Sequence, residues 1–364
     1  MTADATAARD SSGKLGTVLS LLHADAPEQV IDTPQDWPRW AMLLPHVLAA
    51  TAHFDSLPHE TQEAGRADAS WLLDRAASYL LVHARLAEAR PLAERALAID
   101  EAAHGPDHPE VAADLGNLAD ILQDLGQPAQ ARPLAERALA IDEAAHGPDH
   151  PTVAIRLGNL ATILADLGQL AEGQPLTERA LAIDEAAYGP DHPIVANRLN
   201  NLAQFLRRQG KLAEARPLAE RALVITQAAY GPDHPIVAIC LDNLALILRG
   251  LGQLAEAQPL TERALAITET AYGPDHPDVA IRLGNLAGIL QDLGQPAQAR
   301  PLAERALAIT ETAYGPDHPK TVTLRAKLEA PRQHGDTEQD LAADEGSVAG
   351  QHSAGPEGNI DAGT

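Results

Sequence analysis

The chain has 364 residues, 45% of them apolar but only 3% aromatic, so any continuous core has to be assembled from Leu, Ala, Ile and Val. Its formal net charge of −24 argues against nucleic acid or an anionic membrane as partner, because both demand clustered Lys and Arg; a neutral or basic protein or peptide partner is expected. A single cysteine, Cys240, excludes an intrachain disulfide, and there is neither an apolar run of ~18 residues nor a basic start followed by an apolar stretch, so a cytoplasmic location is expected.

In chain order, residues 1–16 are small and polar and are expected to be disordered. Residues 17–66 are expected to form a short helical N-terminal segment: one helix, a proline-rich link and a second helix from about Pro38, with all three tryptophans (Trp37, Trp40, Trp71) at this end of the chain. From there the sequence repeats. "HGPDHP" begins at His104 and His146, and "YGPDHP" at Tyr188, Tyr230, Tyr272 and Tyr314, always 42 residues apart. A fixed period of that size is the signature of a repeat architecture.

Within residues 109–150, Val111, Leu115, Leu118, Ala119 and Leu122 recur at helical spacing. Gly126 stops that helix, and a second follows from about Pro128 to Ala145 with Ala131, Leu134, Ala138, Leu139 and Ile141 inward. "GPDHP" reads as the turn between repeats. Gly147 ends one helix, Pro148 forbids its continuation, Pro151 suits the first position of the next, and His150 fits the cap ahead of it. Six such histidines, His108 to His318, lie too far apart across packed helices to share a metal, and no metal site is expected. The boundaries follow: repeats at 67–108, 109–150, 151–192, 193–234, 235–276 and 277–318, a capping helix at 319–330, and a tail at 331–364 too poor in large apolar residues to fold.

The spacing Leu115-x2-Leu118-Ala119-x2-Leu122…Ala131-x3-Ala135 resembles the tetratricopeptide repeat. The 42-residue period, "LxNLAxIL", "ARPLAERALAI" and the "GPDHP" connector are similar to the kinesin-light-chain type. This resemblance implies an all-α, right-handed superhelix of antiparallel helix pairs, a non-enzymatic interaction scaffold, and an extended peptide or protein bound in the concave groove. The sequence departs from the family where an aromatic of the second helix is replaced by Ala135, Thr177, Ala219, Thr261 and Ala303, which bears on curvature. "WPRWAMLLPHVLAA" resembles the pre-repeat junction of bacterial NB-ARC-type signalling ATPases of the STAND class, without their nucleotide-binding core. That likeness implies a second reading: a regulatory or sensor subunit acting in trans with a separate NTPase and docking through residues 17–75.

With Val111, Leu115, Leu118 and Leu122 inward, Ala113, Asn117, Asp120 and Asp124 fall on the opposite face, the face implied to line the groove. The stripe continues as Ile155/Asn159/Thr162/Asp166, Asn197/Asn201/Gln204/Arg208, Ile239/Asn243/Leu246/Gly250 and Ile281/Asn285/Gly288/Asp292. It varies around a fixed asparagine, a poor helix former that wants a reason. Asn117, Asn159, Asn201, Asn243 and Asn285 could pair with the backbone of a bound segment, or with neighbouring repeats. Copying could also have preserved them, since residues 115–141 and 283–309 differ only at Asp120 versus Gly288. Arg75 and Lys327 hold the equivalent position at the two ends, and Asn197, Gln204 and Arg208 complete the candidate partner-binding set. The "ERAL" Glu–Arg pairs read as a solvated outer face. No catalytic residue and no cofactor are expected: "SSGKLGT" has Ala8 and Leu15 where a phosphate loop needs Gly and Ser or Thr, "HETQE" lacks a second zinc histidine, and there is no G-x-S-x-G elbow. Oligomeric state is not legible.

Overall fold

The computed structural model describes residues 3–30, 33–58, 62–63 and 65–329, with the side chains of 3–12, 327 and 329 outside the description. Among these residues the structure is all helical. The N-terminal segment holds α1 (Ala3–Asp25) and α2 (Trp37–Asp55), preceded by a 3₁₀ turn at Pro34–Asp36. Residues 3–16 therefore belong to α1, where irregular chain was expected. The tail from 331 lies outside the described residues.

Seven first helices follow, α3 (Arg66–Val82), α5 (Pro109–Asp124), α7 (Pro151–Asp166), α9 (Pro193–Arg208), α11 (Pro235–Gly250), α13 (Pro277–Asp292) and α15 (Pro319–Glu329). They alternate with second helices α4 (Leu86–His104), α6 (Pro128–His146), α8 (Leu170–Tyr188), α10 (Leu212–Tyr230), α12 (Leu254–Tyr272) and α14 (Pro296–Tyr314). Each helix packs on the next, giving a solenoid of helix pairs.

Local chemistry sets the punctuation. At Gly126 (φ +72°) the amides of Gly126 and Gln127 close onto the carbonyls of Gln123 and Leu122, the hydrogen-bond pair that ends a helix in a left-handed residue. Gly147 sits at φ +89°, ψ 159°, a conformation essentially reserved for glycine. After it, His150 is the N-cap of α7: its Nδ1 accepts from the Thr152 amide at 3.2 Å. His108, His192, His234, His276 and His318 make the same bond to the residue two places on.

The core repeats with the sequence. In α5, Val111, Leu115, Leu118 and Leu122 are buried against Ala131, Ala135 and Ala138 of α6. Each buried Val or Leu stabilises by about 1.5–3 kcal/mol. Two adjacent repeats depart from this pattern as a matched pair: Phe205 of α9 replaces the isoleucine of other copies, and Gly173 of α8 replaces their alanine. A Cβ at Gly173 would lie 2.6 Å from the Phe205 ring. Gly173→Ala is therefore expected to destabilise this interface by about 1–3 kcal/mol. Adding Phe205→Ile, the residue at the equivalent Ile163 and Ile247, is expected to recover the loss in thermal melts.

The "ERAL" arginines differ from expectation. Arg137 reaches back to the preceding repeat, donating to Glu101 at 2.7 Å and to the Pro106 carbonyl at 2.6 Å. Arg179, Arg221 and Arg305 repeat both contacts. The forked guanidinium supplies a donor to the connector's proline carbonyl while keeping its ion pair.

The superhelix is wound so tightly that successive turns touch. The N-terminus of α13 meets the end of α3, where His276 Nε2 donates to the Val82 carbonyl at 3.2 Å. The N-terminus of α15 meets the end of α5: His318 Nε2 donates to the Asp124 carbonyl at 2.8 Å, and Lys320 Nζ to the Asp124 carboxylate at 2.9 Å. Both histidines use Nδ1 as a cap acceptor, so the hydrogen sits on Nε2 and the ring is neutral. Trp37 of the N-terminal segment stacks on Tyr272 and His276, with centroids 5.4 and 5.6 Å apart. Small buried residues at 135, 177, 219, 261 and 303 let the helices approach closely, in keeping with this winding.

Candidate functional site

Inside the coil, where the turns touch, lies a lumen of about 860 Å³ that is partly open to solvent. Its wall is built from the first helices, α5 to α13, and one end is formed by α3 and the link ahead of α2. The amides of Asn117, Asn159 and Asn197 line it, together with Arg75 of α3. Arg75 lies over the Trp71 ring at 5.8 Å and beside Asp74. Connector side chains also reach it, among them His192, His234, His276, Tyr230, Tyr272 and Tyr314, a contribution that the sequence reading of "GPDHP" as a plain turn did not anticipate.

The other expected site residues are placed differently. Asn201, Asn243, Asn285, Gln204 and Arg208 are not among the lining side chains. Asn243 and Asn285 bond the preceding repeat, donating to Asn200 at 3.1 Å and Asp242 at 2.6 Å. Asn117, though it lines the lumen, does the same to Asp74 at 2.6 Å. Asn201 donates within its own helix to Asn197. Gln204 is buried and accepts from Arg207, and Arg208 faces Asp166. Lys327 lies on α15, but its side chain is outside the described ones.

One position explains the difference. The acceptor for each ladder asparagine stands 43 residues earlier: Asp74 for Asn117, Asn200 for Asn243, Asp242 for Asn285. For Asn159 and Asn201 that position is Gly116 and Gly158, which offer no side chain. Those glycines serve something else. The guanidiniums of Arg156 and Arg198 lie against them, so that a Cβ would come within 2.6 and 2.7 Å of Nη1. Arg156 pairs with Asp142 at 2.8 Å and Arg198 with Asp184 at 2.7 Å, all four side chains being buried. Arg282 turns instead to Asp242 at 3.0 Å.

Of the five first helices α5 to α13, two lack this arginine. In α5 the position is Asp114, buried beside Asp74 and Asp100; burial and these two carboxylates push its pKa up to about 9, so it is a neutral acid at pH 7. In α11 it is Cys240, buried against Thr226 at 3.6 Å, and burial pushes its thiol up to about 11, leaving no thiolate for nucleophilic chemistry at neutral pH. Among the described residues, no group of three or more His, Cys, Asp and Glu is placed to hold a metal ion. No described helix is long and apolar enough to cross a membrane.

The family model of the tetratricopeptide repeat matches six overlapping stretches, residues 68–144, 115–172, 152–223, 196–270, 243–312 and 278–338, which together span well over half of the chain. The chain belongs to the tetratricopeptide repeat family. Among solved structures, this repeat protein is similar to a putative kinesin light chain with nearly identical repeats from Podosopora anserina, 28% identical over 56% of this chain and 97% of that one, with a TM-score of 0.44. BtubC (BKLC) from P. vanneervenii is 23% identical over 70% of this chain and 95% of that one, at a TM-score of 0.47. A Rap protein complexed with competence and sporulation factor is 12% identical over 92% of this chain and 85% of that one, at 0.57. No curated protein sequence matches the chain.

Proposed function

We propose that this tetratricopeptide repeat protein is a non-enzymatic interaction scaffold that takes a peptide segment inside its superhelix. The observation that carries the reading is the lumen itself: about 860 Å³, bounded by turn-to-turn contacts, and lined by amides, guanidiniums and aromatic rings. That volume lies within the roughly 300–1,000 Å³ of ordinary ligand sites, and it matches a short extended segment better than a folded domain. An amide offers a donor and an acceptor together, which suits peptide backbone. The Rap protein named above was solved in complex with competence and sporulation factor, so a protein of similar fold takes a partner. Asn159 and Asn197 are side chains to test, because both line the lumen. Fluorescence anisotropy with a pool of labelled random heptapeptides is expected to show saturable binding. Ile239→Trp, which narrows the lumen at its apolar wall, is expected to weaken it, and binding unchanged in that variant would refute the reading.

The second reading, a regulatory arm docking a separate NTPase through the N-terminal segment, is supported by Val18, Leu21 and Met42, which are 45%, 66% and 57% exposed on α1 and α2. Leu21→Asp with Met42→Asp would then abolish co-purification with that NTPase while the repeats stay helical. Retained association sinks it.

A further inference from the structure

The lumen wall is not uniform. In the first helices that follow a connector, the second residue is Glu110 in α5, Thr152 in α7, Asp278 in α13 and Lys320 in α15, but Ile194 in α9 and Ile236 in α11. A polar or acidic side chain is the natural occupant of a first helical turn, where unpaired amides favour acceptors and negative charge. The helix forms equally well in the polar copies, so the fold does not require isoleucine there. Neither isoleucine is core: both are half-buried and line the lumen, and one turn on Ile239 does the same. Tyr230, leading into α11, is 45% exposed and lines the same wall. Ile155 and Ile281 flank it from α7 and α13. At this same place the guanidinium of Arg156, Arg198 and Arg282 is replaced by Cys240, which removes a charge. Isoleucine at the second helical position of α9 and α11, where sister copies are polar, is a local choice that packing does not explain.

We propose that the α9–α11 wall is the specificity seat of the lumen, receiving an aliphatic or aromatic side chain of a short bound peptide. This rests on the peptide reading above. The seat chooses among peptides by burying one apolar side chain, and the closed coil limits the ligand to a segment that fits within the lumen. Discrimination of this kind is worth about ten- to a few-hundredfold between an apolar side chain and a smaller or polar one.

The test selects peptides from a randomised heptapeptide library over the full chain, alongside Ile194→Thr/Ile236→Thr, which copies Thr152, and Ile194→Val/Ile236→Val, which keeps the seat apolar. Circular dichroism confirms that all three are helical. The native chain and the valine variant are expected to enrich peptides sharing a Leu, Ile, Val, Phe or Tyr at one position. The threonine variant is expected to lose that preference and to bind the enriched peptides at least tenfold more weakly. Enrichment without an apolar position, or an unchanged preference in the threonine variant, overturns the seat and leaves peptide binding standing. Enrichment of no peptide by the native chain overturns the seat and the peptide reading together.

Discussion

Lys320→Ala is expected to spring the coil open: small-angle scattering should show a larger radius of gyration, and amides near Val82 and Asp124 should exchange faster, while helical content stays constant. The physical ground is that few contacts hold one turn on the next. Lys320 Nζ bonds the Asp124 carboxylate and lies over the Tyr314 ring at 4.9 Å. A partly buried charge-assisted bond of this kind contributes on the order of 2 kcal/mol, so its loss shifts closure about thirtyfold. The histidines make the same closure depend on pH. Burial lowers the pKa of His276 and His318 below the ordinary 6.5. Around His276 stand Asp278, the Val82 carbonyl, His83, Tyr272 and Trp37; around His318 stand Asp124, Lys320 and Tyr314. An opened coil takes up protons more readily than a closed one, so closure is fully favoured above pH 6.5 and is lost progressively as pH falls below it. Protonation also removes the Nδ1 acceptor that caps α13 and α15, and it places a positive charge at a helix N-terminus. A scattering profile unchanged between pH 8 and pH 5 would contradict this.

The second large effect is a gain. Asp114→Arg should stabilise the N-terminal interface by about 1.5–3 kcal/mol, the scale of hydrogen bonds to charged groups, because it exchanges a neutral buried carboxyl for a guanidinium facing Asp100 and Asp74. Asp114 faces two carboxylates, Asp100 and Asp74. In later copies an arginine at this position pairs with the residue equivalent to Asp100 (Arg156 with Asp142) or with the residue equivalent to Asp74 (Arg282 with Asp242). The pH dependence carries the opposite sign from that of the histidines. A carboxyl raised from 3.8 to about 9 contributes its full stability below pH 3.8, and each unit of pH above that costs stability until about 9. The native chain should therefore melt progressively lower between neutral and mildly alkaline pH, a slope that Asp114→Arg removes. Equal melting temperatures for the two proteins at pH 8 would count against a neutral Asp114.

What was legible from sequence is what a 42-residue period writes repeatedly: the helices, the glycine stops, the histidine cap and the prolines that follow it. The stripe around Asn117 was also legible, and Asn117, Asn159 and Asn197 of that stripe do line the lumen. The fate of the other asparagines was not, because it depends on the residue 43 places back, which changes from Asp to Gly to Asn between copies. Nor was the closure. Coil pitch is the sum of small rotations per repeat, and the contacts that reveal it join residues 194 apart, such as Val82 with His276.

That offset also constrains ancestry. In an open solenoid, gaining or losing a repeat is close to neutral, since each unit touches only its neighbours. Here a gain or loss between Val82 and His276, or between Asp124 and His318, would bring a different connector to the seam and leave Lys320 away from Asp124. The chain carries the marks of copying in its near-identical blocks 115–141 and 283–309, yet its coil works as a gauge that admits a set number of copies. Shuffling whole repeats within this protein should therefore be purged where point substitution on the lumen wall is tolerated, so that recognition diversifies while length stays fixed.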